Sequence, residues 1–359
     1  MNALSRNILK AVVFFGLGLG ILYIVYLNFD QSYREQCALD GIPAEECNLL
    51  RKVITDFSEA NYFWILLVFI AFFISNISRT LKWKMLLEPI GYKVSNANAF
   101  LSIMLSYFAN LGLPRLGEIV RCGALARYEK IPMEKVMGSV FMDRVTDLVM
   151  MFLIVLLTLS MQFGLLTDFL NEHAEFALGW TGVLILLLVL VLMAVSAFII
   201  FKLLRQYQPA FADRMIALGK GFLEGLKGIV KLRRPFWFIF HTTTIWVMYF
   251  LMTYLAFFAF EPTAHLGVAA ALMVFTLGTL GMLIPTPGGM GSFHYLAVVG
   301  LALYGILPAD GFSFANILFF SIQLGCNVTF GLLALILLPI INKREAVGAP
   351  EGTTVVQSK

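Results

Sequence analysis

An all-α polytopic membrane protein is the fold class this sequence predicts, and three observations carry it. Of 359 residues, 60% are hydrophobic and only 13% charged, about half the roughly one quarter usual in soluble domains. The mean hydropathy is +0.85. The apolar residues fall in runs long enough to cross a hydrocarbon core of about 30 Å, which takes about 20 residues. The basic residues, finally, cluster between alternate runs.

Six full spans are expected, at 11–28, 61–78, 136–163, 179–203, 236–258 and 312–341. The first follows Arg6 and Lys10, as a signal peptide would. It runs apolar for about eighteen residues without a small-residue cleavage pattern, so it reads as an uncleaved anchor. The longest other stretches, 29–60 and 204–235, are shorter than the roughly 50 residues of an independent domain. Residues 1–345 therefore read as one transmembrane domain, and 346–359 as a disordered cytoplasmic tail.

Orientation follows from Lys and Arg in the short loops. Segments 1–10, 79–93, 114–135, 202–234 and the tail after 341 hold 22 of the 26 basic residues. The intervening segments hold only Arg34, Arg51 and Lys52, with twelve acidic residues. Both termini are thus expected in the cytoplasm. Cys37 and Cys47 fall in the external 30–60 loop with nine residues between them. An oxidising compartment would permit a disulfide there, and a pair of free thiols is the other reading. Cys122 and Cys326 have no partners at metal-ligand spacing, so no metal or other cofactor is expected.

Two further apolar regions are broken. Residues 97–131 begin apolar, then carry Arg115, Glu118, Arg121, Arg127, Glu129 and Lys130. Central charges make a lipid-facing crossing expensive. A hairpin that enters from the cytoplasm, breaks around Asn110 to Pro114 and returns is the economical reading; a surface amphipathic helix is the alternative. In 266–308, Pro285, Pro287, Gly288, Gly289 and Gly291 interrupt any regular helix. This region reads as a re-entrant pair or as two short spans. The order span, broken hairpin, span occurs in both 61–163 and 236–341 with opposite direction. That is the topology of an inverted repeat, whose broken helices meet at a substrate site.

The candidate site is an ionisable cluster. Asp143 and Asp147 are four residues apart and share a helix face, with Arg144 three residues from Asp147. Arg115, Glu118 and Arg121 make a stripe with a three-residue step. Arginines among acids near membrane depth can hold an anionic headgroup, because guanidinium pairs with phosphate in a forked geometry. An ion-pair network that pins the hairpin to the next span is the competing reading. His294, beyond the Pro/Gly break, is a proton relay or a hydrogen-bonded packing residue. Segment 202–234 has eight bases and spaced apolar residues; it reads as an interfacial helix or as a topology signal alone.

Asn110, Pro114, Arg115, Gly117, Glu118 and Arg121, followed by Asp143, Arg144 and Asp147 and then by Pro285, Pro287, Gly288, Gly289 and Gly291, resemble the lysylphosphatidylglycerol synthase transmembrane (flippase-like) family. The resemblance covers about residues 60–340. It implies a membrane region that moves lipids between leaflets and that precedes, in full-length synthases, a cytoplasmic aminoacyl-transferase domain. Only fourteen residues follow Glu345, so aminoacylation is not expected. The sequence departs from the family at His294, where Glu is common, and at Asp143, where Glu is frequent.

The expected function is therefore that of a flippase or transporter in the bacterial inner membrane, acting on an anionic or lipid-linked substrate. Its substrate-binding residues would be Asn110, Pro114, Arg115, Glu118, Arg121, Asp143, Arg144, Asp147, Pro287, Gly288, Gly289 and His294. A non-transporting lipid-binding scaffold for a separate lipid-modifying enzyme is the alternative. No catalytic motif is visible, so no enzyme activity is expected. The expected partners are lipid, a further copy of the chain or such an enzyme, and no nucleic acid.

Overall fold

The computed structural model describes residues 3–43, 45, 47–112, 116–164, 232–284 and 286–347, and every regular element among them is a helix. The span expected at 179–203 and nearly all of the basic segment 202–234 lie outside the described residues, as do Pro114, Arg115 and Pro285.

Helix α1 (Ala3–Leu39) is 37 residues long, about 55 Å at 1.5 Å per residue. It therefore runs well past the expected span. Asp30 ends its apolar stretch and accepts hydrogen bonds from Arg34 at 2.7 Å and from the Leu49 backbone at 3.3 Å. A Cys37–Cys47 disulfide, with Cα atoms 6.3 Å apart, closes the return to α2 (Leu49–Glu59). Asn48 caps α2 by accepting from Arg51 N–H at 2.9 Å. Lys52 reaches from α2 to Asp310 at 2.8 Å and to Asp56 at 2.9 Å.

Next come α3 (Tyr62–Leu87), α4 (Asn96–Gly112), α5 (Leu116–Glu129) and α6 (Met133–Met161). After the undescribed stretch, α7 (Pro235–Phe257) is followed by α8 (Val268–Leu283), a short turn at Pro287–Gly289, and α9 (Ser292–Ala302). The last length is α10 (Pro308–Phe320), a π-helical stretch Ser321–Val328, and α11 (Thr329–Val347). Three described lengths are long and apolar enough to cross a membrane: Tyr62–Ile90, Pro235–Phe257 and Pro308–Lys343. Helix α8 is apolar but has 16 residues, about 24 Å, too short to cross alone.

The two broken regions are antiparallel hairpins. In the first, Asn98 Nδ2 and the Ser95 backbone both donate to Glu129 Oε1, at 2.8 and 2.9 Å, closing the open end. At the turn, Gly117 N–H donates to Asn110 Oδ1 at 2.8 Å. A Cβ on Gly117 would collide with the Ser106 carbonyl, so only glycine lets α5 approach α4 this closely. In the second hairpin, Ser292 Oγ donates to the Gly281 carbonyl at 2.8 Å. Gly288, Gly289 and Gly291 have φ of +59°, +79° and +83°, which side chains with a Cβ rarely adopt.

The hairpin tips meet. A Cβ on Gly288 would lie 3.2 Å from the Leu111 side chain at the end of α4. Gln323, from the π-helical stretch, donates to the Gly288 carbonyl at 3.0 Å. Helix α1 covers the same turn, with Gly18 against Pro287. Helix α3 packs along α7, and one continuous apolar core links α3, α4, α7, α8, α10 and α11.

Candidate functional site

Helices α3, α5 and α6 each bring charge to one place. Asp143 and Asp147, one turn apart on α6, face Arg79 and Lys82, one turn apart on α3. Arg79 Nη1 bridges Asp143 Oδ2 at 3.2 Å and Asp147 Oδ2 at 3.0 Å. Lys82 Nζ lies 3.1 Å from Asp147 Oδ1 in a hydrogen bond. It is also 2.9 Å from Asp143 Oδ1, within ion-pair distance but off the hydrogen-bonding direction, so that oxygen has no hydrogen-bond donor among the described residues. Arg121, from α5, donates to Asp143 Oδ2 at 3.0 Å.

Aromatic groups hold these cations in place. The Arg121 guanidinium sits 3.7 Å from the centroid of the Trp83 ring, a cation–π contact in a desolvated setting. Trp83 Nε1 donates to Ser139 Oγ at 2.9 Å, fixing that ring. Arg79 Nη2 donates to the Tyr249 hydroxyl at 3.3 Å, and Tyr249 meets Tyr107 at 3.3 Å.

The charge balance is uneven. The side chains of Arg79, Lys82 and Arg121 are 4%, 0% and 1% exposed, against 0% and 12% for Asp143 and Asp147. Among the described residues, that is three buried cations on two carboxylates. Arg144 and Glu118 pair at 3.0 Å, but they are 40% and 44% exposed and neutralise each other. Arg144 also reaches Asp147 at 3.3 Å. Among the described residues, Arg79 Nε, Arg121 Nε and Arg121 Nη2 are buried donors without hydrogen-bond partners. Buried guanidinium donors are costly to leave unpaired, and an oxyanion would satisfy them in a forked geometry.

Of the residues singled out from the sequence, Glu118, Arg121, Asp143, Arg144 and Asp147 come together here. Asn110 does not contact them in any described hydrogen bond; its side chain holds the hairpin turn through Gly117. Pro287, Gly288 and Gly289 form the other hairpin's tip. His294 is fully buried, accepts from Gly291 N–H at 3.4 Å, and lies 4.6 Å from the Phe319 ring centroid.

Sequence reasoning missed Arg79, Lys82, Trp83, Tyr107 and Tyr249. Arg79 and Lys82 sit at the end of an apolar run and read as topology signals. Their three-residue step matches the four-residue step of Asp143 and Asp147 on a neighbouring span, and that complementarity was the available signal.

Comparison with known proteins points to a family of membrane proteins. The family model described as the lysylphosphatidylglycerol synthase TM region matches residues 49–331, which contain both hairpins and the whole ionic cluster. A UPF0104 membrane protein of Methanocaldococcus jannaschii is 22% identical over 286 residues, 72% of this chain and 80% of that protein. No solved structure matches the chain. With well over half of its length matched, the chain belongs to the lysylphosphatidylglycerol synthase TM-region family, a family of membrane proteins.

Proposed function

We propose that this protein is a flippase that moves an anionic or lipid-linked substrate between the leaflets of a bacterial inner membrane. Arg79, Lys82, Arg121 and Arg144 hold the headgroup in this reading. The observation that carries it is, among the described residues, a buried surplus of one cation with Arg79 Nε, Arg121 Nε and Arg121 Nη2 unpartnered. A network built only to pin helices together would be expected to end neutral and satisfied.

The element order supports a transport mechanism. Helix α3, the α4–α5 hairpin and α6 are matched in order by α7, the α8–α9 hairpin and the α10–α11 length. In this reading the halves are an inverted repeat, and the hairpins are re-entrant from opposite faces. Their tips, Asn110 to Gly112 on one and Pro287 to Gly289 on the other, form the moving contact between them. His294 braces the second tip. Both termini face the cytoplasm, and the Glu118–Arg144 pair lies on that side.

Reconstitution into liposomes with a leaflet-selective fluorescent phosphatidylglycerol tests the reading. Movement above that of protein-free liposomes, and above that of the Arg121→Gln variant, is the expected result. Binding of the probe without movement would make the protein a lipid-binding scaffold instead.

A further inference from the structure

A cavity of about 260 Å³ lies between α6, α7 and α8. Its α6 wall is Met150, Ile154, Leu157 and Met161, spaced by four, three and four residues and so on one helix face. The wall is about 16 Å long at 1.5 Å per residue. Phe250 and Phe275 line the facing side. Such a lining cannot satisfy a charged or strongly polar ligand.

Two residues with polar groups, Thr243 and Trp246, interrupt the apolar lining. Trp246 lines the cavity and is 7% exposed, and its Nε1 donor has no partner among the described residues. A buried indole N–H ordinarily finds an acceptor. The cavity also lies close to the ionic cluster. Met150 is one turn from Asp147 on α6. Tyr249, the hydroxyl partner of Arg79, stands edge-on to Trp246 with ring centroids 6.1 Å apart.

Resting on the anionic-substrate reading above, we infer that this groove is the acyl-chain subsite of the same substrate, and that the Trp246 indole donates to its ester carbonyl. The substrate class is then an anionic acyl-ester lipid. A water-soluble anion has no chain to fill the groove, and a polyprenyl-linked anion has no ester carbonyl for Trp246. The headgroup sits on Arg79 and Arg121, the ester at Trp246 on α7, and the chain along Met150 to Met161 on α6.

Photocrosslinking tests this with full-length protein in nanodiscs. The probes are phosphatidylglycerol and phosphatidylcholine carrying the same diazirine-labelled acyl chain, with crosslinked peptides read by mass spectrometry. The expected result is labelling of 150–161, 243–250 and 268–275 by the phosphatidylglycerol probe, several-fold above the phosphatidylcholine probe. Excess unlabelled dihexanoyl phosphatidylglycerol should displace it. Trp246→Phe, which keeps the ring and removes the donor, should weaken probe retention by about two- to tenfold, the size of one net hydrogen bond. Equal labelling by the two probes, or unchanged retention in Trp246→Phe, overturns the inference. Preferential retention of phosphatidylglycerol with labelling elsewhere on the helices would sink the groove assignment and leave the headgroup reading standing. Loss of all headgroup preference would remove both.

Discussion

Arg121 and Asp143, 22 residues apart in the chain, are joined by a 3.0 Å hydrogen bond from Nη1 to Oδ2. That bond fastens the first hairpin to α6. It uses one of the guanidinium's donors and leaves Nε and Nη2 free among the described residues. The same side chain thus has a structural half and an unoccupied half.

Substitution separates these halves. Arg121→Lys keeps the charge beside Asp143 but loses the planar fork and the stack on Trp83. Transport per folded molecule should fall about tenfold or more, the size of a lost charged hydrogen bond, while thermal stability changes little. Arg115→Lys and Arg144→Lys should act in the same direction. Activity near that of the unmodified protein in a well-folded Arg121→Lys variant would leave pinning as the residue's whole role.

Stability should depend on depth within the cluster. Asp143→Asn leaves three buried cations facing one carboxylate and should cost about 3–5 kcal/mol. Read from the sequence, Arg144→Ala carries a similar cost if its pair is buried. The 40% exposure of Arg144 and 44% exposure of its partner Glu118 revise that expectation to about 1 kcal/mol or less. Thermal unfolding of both variants in one detergent measures the difference.

The first hairpin should fail on a single methyl group. In Gly117→Ala the new Cβ meets the Ser106 carbonyl and Asn110, and overpacking of this kind costs about 1–3 kcal/mol. Asn110→Ala removes only the acceptor for Gly117 N–H and should cost about 0.5–2 kcal/mol, as lost helix caps do. Monodisperse yield on size exclusion should rank the original residue, Asn110→Ala and Gly117→Ala in that order.

The Lys52 clasp should be insensitive to pH across the neutral range. Burial works against its charge, but Asp310 and Asp56 outweigh burial and raise its pKa above the ordinary lysine value. A raised folded pKa means the stabilisation is fully present below the unfolded value of about 10.4 and is lost only as pH rises through the folded one. Hydrogen exchange in α2 should be equally protected at pH 6 and pH 9 after correction for intrinsic rates. Lys52→Met should raise exchange at both.

Orientation is open to labelling. In a background with Cys122 and Cys326 replaced by Ser, Val120→Cys and Gly225→Cys should react with an impermeant maleimide only from the cytoplasm, and Glu172→Cys only from outside. External labelling at 120 would rule out a cytoplasmic entry for the first hairpin and the inverted repeat with it.

Composition and periodicity by themselves determined that this chain is helical and membrane-bound, because too few charges exist to cover a soluble surface. They also determined where the helices break: α4 ends at Gly112 and α8 at Leu283, next to the prolines and glycines that cannot continue them. The acidic face of the cluster was legible too, since Asp143 and Asp147 fall one turn apart on any helix. Its basic face was not. Arg79 and Lys82 lie more than sixty residues before their carboxylates, at a span end where positive charge has a sufficient explanation in topology. Only packing of α3 against α6 turned them inward. The fit of Trp83 under Arg121, the reach of Arg79 to the Tyr249 hydroxyl, and the meeting of Leu111 with Gly288 are likewise contacts between distant segments. No local pattern encodes them, because side-chain proximity across helices depends on how the helices pack and not on the residues of any one of them.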